Sequence, residues 1–252
     1  MKKVRIILRL DIKNDTVVKG IHLEGLRVVG KPDAFAHQYY QEGADEFLYM
    51  DTVASLYERN SLNAIISKAA RQVFVPMTVG GGIRKLEDIT QILNSGADKV
   101  AINTAAVREP AFLRAASNKF GAQCIVLSIE AKKIGDQKWE AYTESGREKS
   151  GREVLGWIQE ALDYGIGEVL LTSVDRDGTK NGIDMDLIRA VAHICPVPFI
   201  VSGGVGKMEH VLSAFSIPGV DAVAIGSAYH YGMFSIPETK AFLMQNHIQV
   251  RL

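Results

Sequence analysis

The chain has 252 residues, 47% hydrophobic and 23% charged, and its 29 lysines and arginines balance 29 aspartates and glutamates. This size and apolar content suit one globular domain with a large core, and the neutral balance removes the electrostatic reason to expect nucleic acid or a membrane as partner. Cys124 and Cys195 lie in apolar runs and predict a reduced, cytoplasmic setting; Arg9 and Asp11 break the first apolar run too early for a signal peptide, and no run nears the roughly 20 apolar residues that cross a bilayer.

The first predicted strand is Val4–Ile12. Within it Arg5, Ile7, Arg9 and Asp11 alternate with Ile6, Leu8, Leu10 and Ile12, so three charges share one face of an otherwise apolar strand. Further β-branched runs follow at Glu46–Asp51, Val75–Val79, Lys99–Asn103, Ile125–Glu130, Glu168–Ser173, Phe199–Ser202 and Ala222–Gly226. Helical periodicity fills the intervals. In LEDITQILNSG, Leu86, Ile89, Ile92 and Leu93 form one stripe and Gly96 stops it; REPAFLRAASNKFG opens on Pro110 and ends at Gly121. LGWIQEALDYG, DMDLIRAVAHI and MEHVLSAF repeat the pattern. Eight strands alternating with eight helices predict a closed parallel (β/α)8 barrel, with an open doubly wound sheet as the competing arrangement.

An internal repeat favours the barrel. GADEF at 43 and GIGEV at 165 are 122 residues apart; GADKV at 96 and GVDAV at 219 are 123 apart. VGGGIR (79–84) and VSGGVGK (201–207) share that offset, and LRLDIK (8–13) and LSIEAK (127–132) nearly so. A single domain over 1–252, built from half-barrels of about 1–121 and 122–252, accounts for these matches.

In a barrel, inward charges must be paired or must line a functional space. Arg5, Glu46, Lys99 and Glu168 begin strands one, two, four and six and form a neutral ring at the bottom, readable as a structural plug or as a functional gate. At the carboxyl end, where barrel enzymes place their chemistry, Asp11 stands opposite Glu130 as a candidate acid–base pair. Glycine-rich segments follow strands three and seven (80–82, 202–204), and NTA (103–105) and GSA (226–228) follow strands four and eight. Such loops let backbone N–H groups approach phosphate, and two of them predict a substrate with a phosphate at each end. The loops themselves carry few cations, so backbone donors are expected to do most of the holding. The histidines have no metal-ligand spacing, and no Walker loop, dinucleotide fingerprint or nucleophile elbow occurs; no metal and no cofactor are expected.

The segments LDIKNDTVVKG, VGGGIR, GADKVAINTAAV, LLTSVDRDGTKNG and SGGVG closely resemble the cyclase subunit family of imidazole glycerol phosphate synthase, from end to end of the chain. The resemblance implies a lyase/cyclase of histidine biosynthesis. Such a cyclase uses ammonia from a partner glutaminase to convert a bisphosphorylated formimino-aminoimidazole carboxamide ribonucleotide into imidazole glycerol phosphate and an aminoimidazole carboxamide ribotide. It implies acid–base roles for Asp11 and Glu130, active-site positions for Lys19, Asp51, Asn103, Thr172 and Asp177, and phosphate-binding segments containing Gly82, Asn103, Thr104, Gly204, Gly226 and Ser227. It also implies an ammonia gate at Arg5, Glu46, Lys99 and Glu168, and a glutaminase-facing position for Asp98. Two departures stand out. The family usually has aspartate at the place of Glu130 and a small residue, typically cysteine, at that of Arg9, which can pair with Asp11 or Glu130 and would then weaken that carboxylate as a base. These leave open an ammonia-conducting subunit of a surface-sugar amidination system, or a non-catalytic scaffold that activates a glutaminase.

Overall fold

The computed structural model describes residues 3–54 and 62–251; the outer bounds expected for the half-barrels, residues 1 and 252, lie outside them. The chain closes a parallel barrel from β1 (Arg5–Lys13), β4 (Glu46–Asp51), β5 (Met77–Gly80), β6 (Lys99–Ile102), β7 (Ile125–Gly135), β10 (Glu168–Ser173), β11 (Phe199–Ser202) and β12 (Ala222–Ile225). Each strand pairs with the next, β7 pairs with β10, and β12 returns to β1, so no barrel edge is left open. The open-sheet alternative is thereby excluded.

The alternation read from β1 is the alternation observed. Ile6, Leu8, Leu10 and Ile12 face the outer core against the helices, while Ile7 joins Leu48, Ala101, Val126, Leu170, Ile200 and Ala222 inside the barrel. The outer layer holds α1 (Pro32–Gln41), α2 (Asn63–Ala69), α3 (Leu86–Asn94), α5 (Ala111–Phe120), α6 (Val154–Asp163), α7 (Met185–Ile194), α8 (Met208–Phe215) and α10 (Ile236–Gln245). Two features depart from a plain strand–helix alternation. Short helices α4 (Thr104–Arg108) and α9 (Ser227–His230) stand directly after β6 and β12. Antiparallel hairpins β2 (Thr16–Ile21)–β3 (Glu24–Gly30) and β8 (Lys138–Thr143)–β9 (Glu148–Glu153) extend β1 and β7 beyond the barrel rim. Both hairpins escape a sequence reading because β3 and β9 expose most of their residues and so lack a buried stripe.

The repeated Gly-x-Asp signal has a definite structural job. Asp45, Asp98 and Asp221 each accept a backbone N–H from the neighbouring strand, from Ile6 (2.7 Å), Met77 (2.8 Å) and Phe199 (3.0 Å) respectively. Asp45 is buried and also receives Lys240 Nζ at 2.7 Å, and Lys240 in turn donates to the Arg251 carbonyl, which ties the C-terminal helix to the barrel floor. Asp98 is exposed. Asp45→Ala strands a buried ammonium as well as an amide and is expected to cost about 3–5 kcal/mol. Asp98→Ala loses one part-buried bond and strands no charge, about 1 kcal/mol. Urea unfolding of the two variants checks the order.

Candidate active site

At the floor, Arg5 Nη1 and Nη2 reach Glu46 (2.8 Å) and Glu168 (2.6 Å), and Lys99 Nζ reaches the other oxygens of the same carboxylates at 2.5 and 2.6 Å. The four residues predicted to share this level therefore form a closed ring in which each carboxylate bridges both cations, and Thr78 Oγ1 adds a donor to Glu46 at 2.7 Å. Above the ring comes the apolar layer of Ile7, Leu48, Ala101, Val126, Leu170, Ile200 and Ala222. A second polar layer lies above that.

Arg9 dominates this upper layer and is only 3% exposed. Its guanidinium crosses from β1 to β10 and β11: Nε donates to Asp11 Oδ1 (2.8 Å), and Nη1 donates to Thr172 Oγ1 (2.8 Å) and Ser202 Oγ (3.1 Å). Of the two partners open to it, Arg9 takes Asp11. Lys19, from β2, pairs with the other Asp11 oxygen. Burial disfavours charge on Asp11, but Arg9 and Lys19 outweigh it and hold the carboxyl well below the usual carboxylate range. Burial likewise opposes the Arg9 charge, and Asp11, Asp177 and Glu130 overcome it.

Glu130 has the opposite environment. Burial pushes its pKa up to about 7, and the pull of Arg9 and of the Gly146 N–H offsets this only in part. Its Oε2 accepts from Asn103 Nδ2 (2.9 Å) and from Gly146 N–H (2.8 Å). The mouth thus holds one carboxylate that stays ionised and one that exchanges a proton near neutral pH, the division of labour that acid–base sites require.

Asp11, Glu130, Asp51, Gly82, Asn103 and Thr104 line one cavity of about 240 Å³. A smaller one of about 20 Å³ is lined by Lys19, Thr172's partner Arg9, Gly204, Gly226 and Ser227, and Asp177 borders both. The two glycine segments are built alike. At Gly81 (φ 96°) an added Cβ would meet Asp51 O at 2.3 Å, and at Gly203 (φ 98°) it would meet Ser173 O at 2.8 Å, so each loop must pass close over the preceding strand end. Asn103 and Gly226, which precede α4 and α9, share nearly the same backbone angles. Cations nevertheless reach both cradles: Arg84 and Arg108 line the larger cavity, and Lys19 Nζ lies over Gly226, 2.6 Å from where a Cβ would stand. Lys19 arrives from a hairpin and Arg108 from the far end of α4, so local sequence around the glycines did not show them.

The structure thus brings the predicted residues into two levels, with Arg5, Glu46, Lys99 and Glu168 at the floor and the others at the mouth, while Asp98 stands on the exposed lower surface. It adds residues the sequence reading missed. Leu23 and Leu26 of the first hairpin and Glu144 and Ser145 of the second cover the cavity. His230 supports strand β1 from outside: its Nε2 lies 3.0 Å from the Arg9 carbonyl, which can only accept, so Nδ1 takes the Tyr39 hydroxyl at 3.2 Å. Burial, with Lys19 nearby, lowers His230 to about 4, so the ring is neutral at pH 7.

A closed barrel whose carboxyl-end mouth combines two unlike carboxylates with two glycine cradles belongs to the class of (β/α)8-barrel enzymes. Residues 5–235 match the model of a family described as histidine biosynthesis protein. The chain is 52% identical over 209 residues to the imidazole glycerol phosphate synthase subunit HisF of Legionella pneumophila, covering 83% of this chain and 99% of that one. It is 44% identical, over the full length of both chains, to the proteins of the same name from Streptococcus sanguinis and Streptococcus gordonii. The chain belongs to this histidine biosynthesis family.

Glu130 makes the stability pH-dependent. Its ordinary value is 4.5 and its folded value about 7, so the folded state holds the extra proton between them. The stability this confers is complete below pH 4.5 and is lost as pH rises through 7, a change of about 3 kcal/mol. Glu130→Gln cannot ionise, so its stability relative to the natural chain should rise by up to that amount between pH 4.5 and 8. Urea unfolding across this range measures the difference, and a pH-independent difference contradicts the assignment.

Proposed function

We propose that this chain is the cyclase subunit of imidazole glycerol phosphate synthase. In this reading it uses ammonia to cleave and cyclise a bisphosphorylated formimino-aminoimidazole carboxamide ribonucleotide, giving imidazole glycerol phosphate and an aminoimidazole carboxamide ribotide. The names of its relatives support the reading. The observation that carries it is the pairing of an anionic Asp11 with a titrating Glu130 at one mouth, between two similar glycine cradles. One phosphate is assigned to Gly82, Asn103 and Thr104, the other to Gly204, Gly226 and Ser227. Asp11, kept ionised, stabilises positive charge on the attacking nitrogen. Glu130 delivers and recovers a proton during cleavage and ring closure. Lys19, Asp51 and Asp177 complete the binding surface, and Thr172 acts through Arg9, whose guanidinium it holds.

The ammonia comes from a glutaminase docked on the floor of the barrel, where Asp98 is exposed. Arg5, Glu46, Lys99 and Glu168 gate its entry: a small neutral molecule passes when one ion pair of the ring swings aside. Among the described residues no helix is long and apolar enough to cross a membrane, and we place the pair of subunits in the cytoplasm. A second reading draws on one observation, the Arg9 guanidinium lying across the upper barrel and neutralising Asp11. It assigns the chain to ammonia supply for a surface-sugar amidotransferase, with altered cyclase activity; a scaffold that only activates a glutaminase is its limiting form.

Purified protein, the bisphosphorylated substrate and an ammonium salt separate these readings. Turnover is expected, with Asp11→Asn lowering it about 100-fold or more in the fraction that folds, since the substitution also strips Arg9 and Lys19 of their shared carboxylate. Glu130→Asp should preserve or raise the rate. No turnover, together with stimulation of a co-expressed glutaminase, favours the second reading, in which Arg9→Cys should then restore cyclase activity. Arg5→Ala removes two of the ring's ion pairs without touching the mouth. It should impair glutamine-dependent turnover more than ammonium-dependent turnover, and an unchanged ratio of the two rates contradicts the gate.

A further inference from the structure

The turn between β8 and β9 reaches back over the larger cavity and is fastened there at three successive residues. Glu144 N–H donates to Thr104 Oγ1 (3.2 Å), Ser145 Oγ to the Thr52 carbonyl (3.0 Å), and Gly146 N–H to Glu130 Oε2 (2.8 Å). This fixes the Glu144 side chain against the cavity wall, where it is 10% exposed. One of its oxygens accepts from Arg108 Nη2 at 2.8 Å; the other, Oε2, is buried and has no partner among the described residues. Arg108 lines the same cavity, its side chain is 68% exposed, and its guanidinium makes no other hydrogen bond among the described residues.

A buried carboxylate oxygen without a donor is unfavourable, and natural structures keep such an atom where something arrives to satisfy it. The missing group must be a hydrogen-bond donor, because a second anion would be repelled. Arg108 has the complementary surplus: guanidinium donors not yet used, in the fork geometry that suits phosphate oxygens. Both lie beside Thr104, in the cradle assigned to one phosphate of the substrate. We propose that Arg108 and Glu144 form a clamp for a phosphorylated sugar, Arg108 taking a phosphate oxygen and Glu144 Oε2 accepting a hydrogen bond from a nearby sugar hydroxyl. The clamp rests on the phosphate assignment above and adds two binding residues to it. It also gives the turn a reason to be fastened to Glu130: the residue that reads the sugar and the residue that moves the proton share one strap.

The test uses ribose 5-phosphate and inorganic phosphate as probes, titrated separately into the full chain while the amide signals of Thr104, Ser145 and Gly146 are followed by NMR. Those signals report this cavity and not the second cradle. The natural chain should bind ribose 5-phosphate about tenfold more tightly than inorganic phosphate. Glu144→Ala should abolish that preference while leaving phosphate affinity within twofold, and Glu144→Gln, a weaker acceptor of the same shape, should reduce the preference in part. Arg108→Ala should weaken both probes about tenfold. If Glu144→Ala instead tightens both probes, the carboxylate merely occupies the phosphate's place and the clamp is wrong. It is equally overturned if the preference survives Glu144→Ala, or if neither probe shifts these signals in the natural chain. None of these outcomes depends on turnover, so a failed cyclase assay counts against the proposed function alone.

Discussion

The ion pair between Arg9 and Asp11 is the constraint on which the rest of the mouth depends. Two charges buried this deeply are tolerable only together, and each is further saturated, Arg9 by Thr172 and Ser202 and Asp11 by Lys19. The guanidinium thereby links β1 to β10 and β11 across the barrel, which a small residue at position 9 could not do. With Asp11 so fully compensated, Glu130 is left without a dedicated cation, and burial decides its protonation. The unlike behaviour of the two carboxylates is thus one fact seen from two sides.

The barrel interior is a stack of levels set by the period of two along each strand. A neutral ionic ring, an apolar layer and a second polar layer follow one another because Arg5, Ile7, Arg9 and Asp11 all point inward from β1. The ring holds its charges in closed alternation, so no carboxylate or cation there lacks an opposite neighbour. The apolar layer above it separates the two charged levels, and a neutral molecule crosses such a layer far more readily than an ion does. Under the proposed function, access from the floor and acid–base chemistry at the rim are in this way compatible within one strand.

Much of this was legible in the chain itself. The alternation in RIILRLDIK placed charges inside, and the spaced repeats GADEF, GADKV, GIGEV and GVDAV with the glycine segments predicted barrel closure and, with Arg5, the membership of the ring. These are local periodic signals, and the fold preserves them. What stayed hidden was brought together from far apart. Arg9 could have chosen Asp11 or Glu130, and only the closed barrel, which brings Thr172 of β10 and Ser202 of β11 to its guanidinium, shows the choice. Glu144 meets Arg108 because a hairpin turns its tip inward, and neither residue carries a mark of that meeting. The hairpins were missed because their outer strands face solvent. Glu130 reads from sequence as an acid at a strand end, and the burial that raises its pKa is a property of its surroundings.

One mouth holds an Asp11 kept ionised by Arg9 and Lys19 and a Glu130 that burial brings to titrate near neutrality. Carbon-13 NMR of side-chain carboxyls, assigned with Asp11→Asn and Glu130→Gln, measures both groups directly. The Glu130 signal should titrate with a midpoint near pH 7, and the Asp11 signal should stay at its ionised position from pH 8 down to at least pH 4. An Asp11 carboxyl that titrates within that range, or a Glu130 that is fully ionised at pH 5, would contradict this assignment.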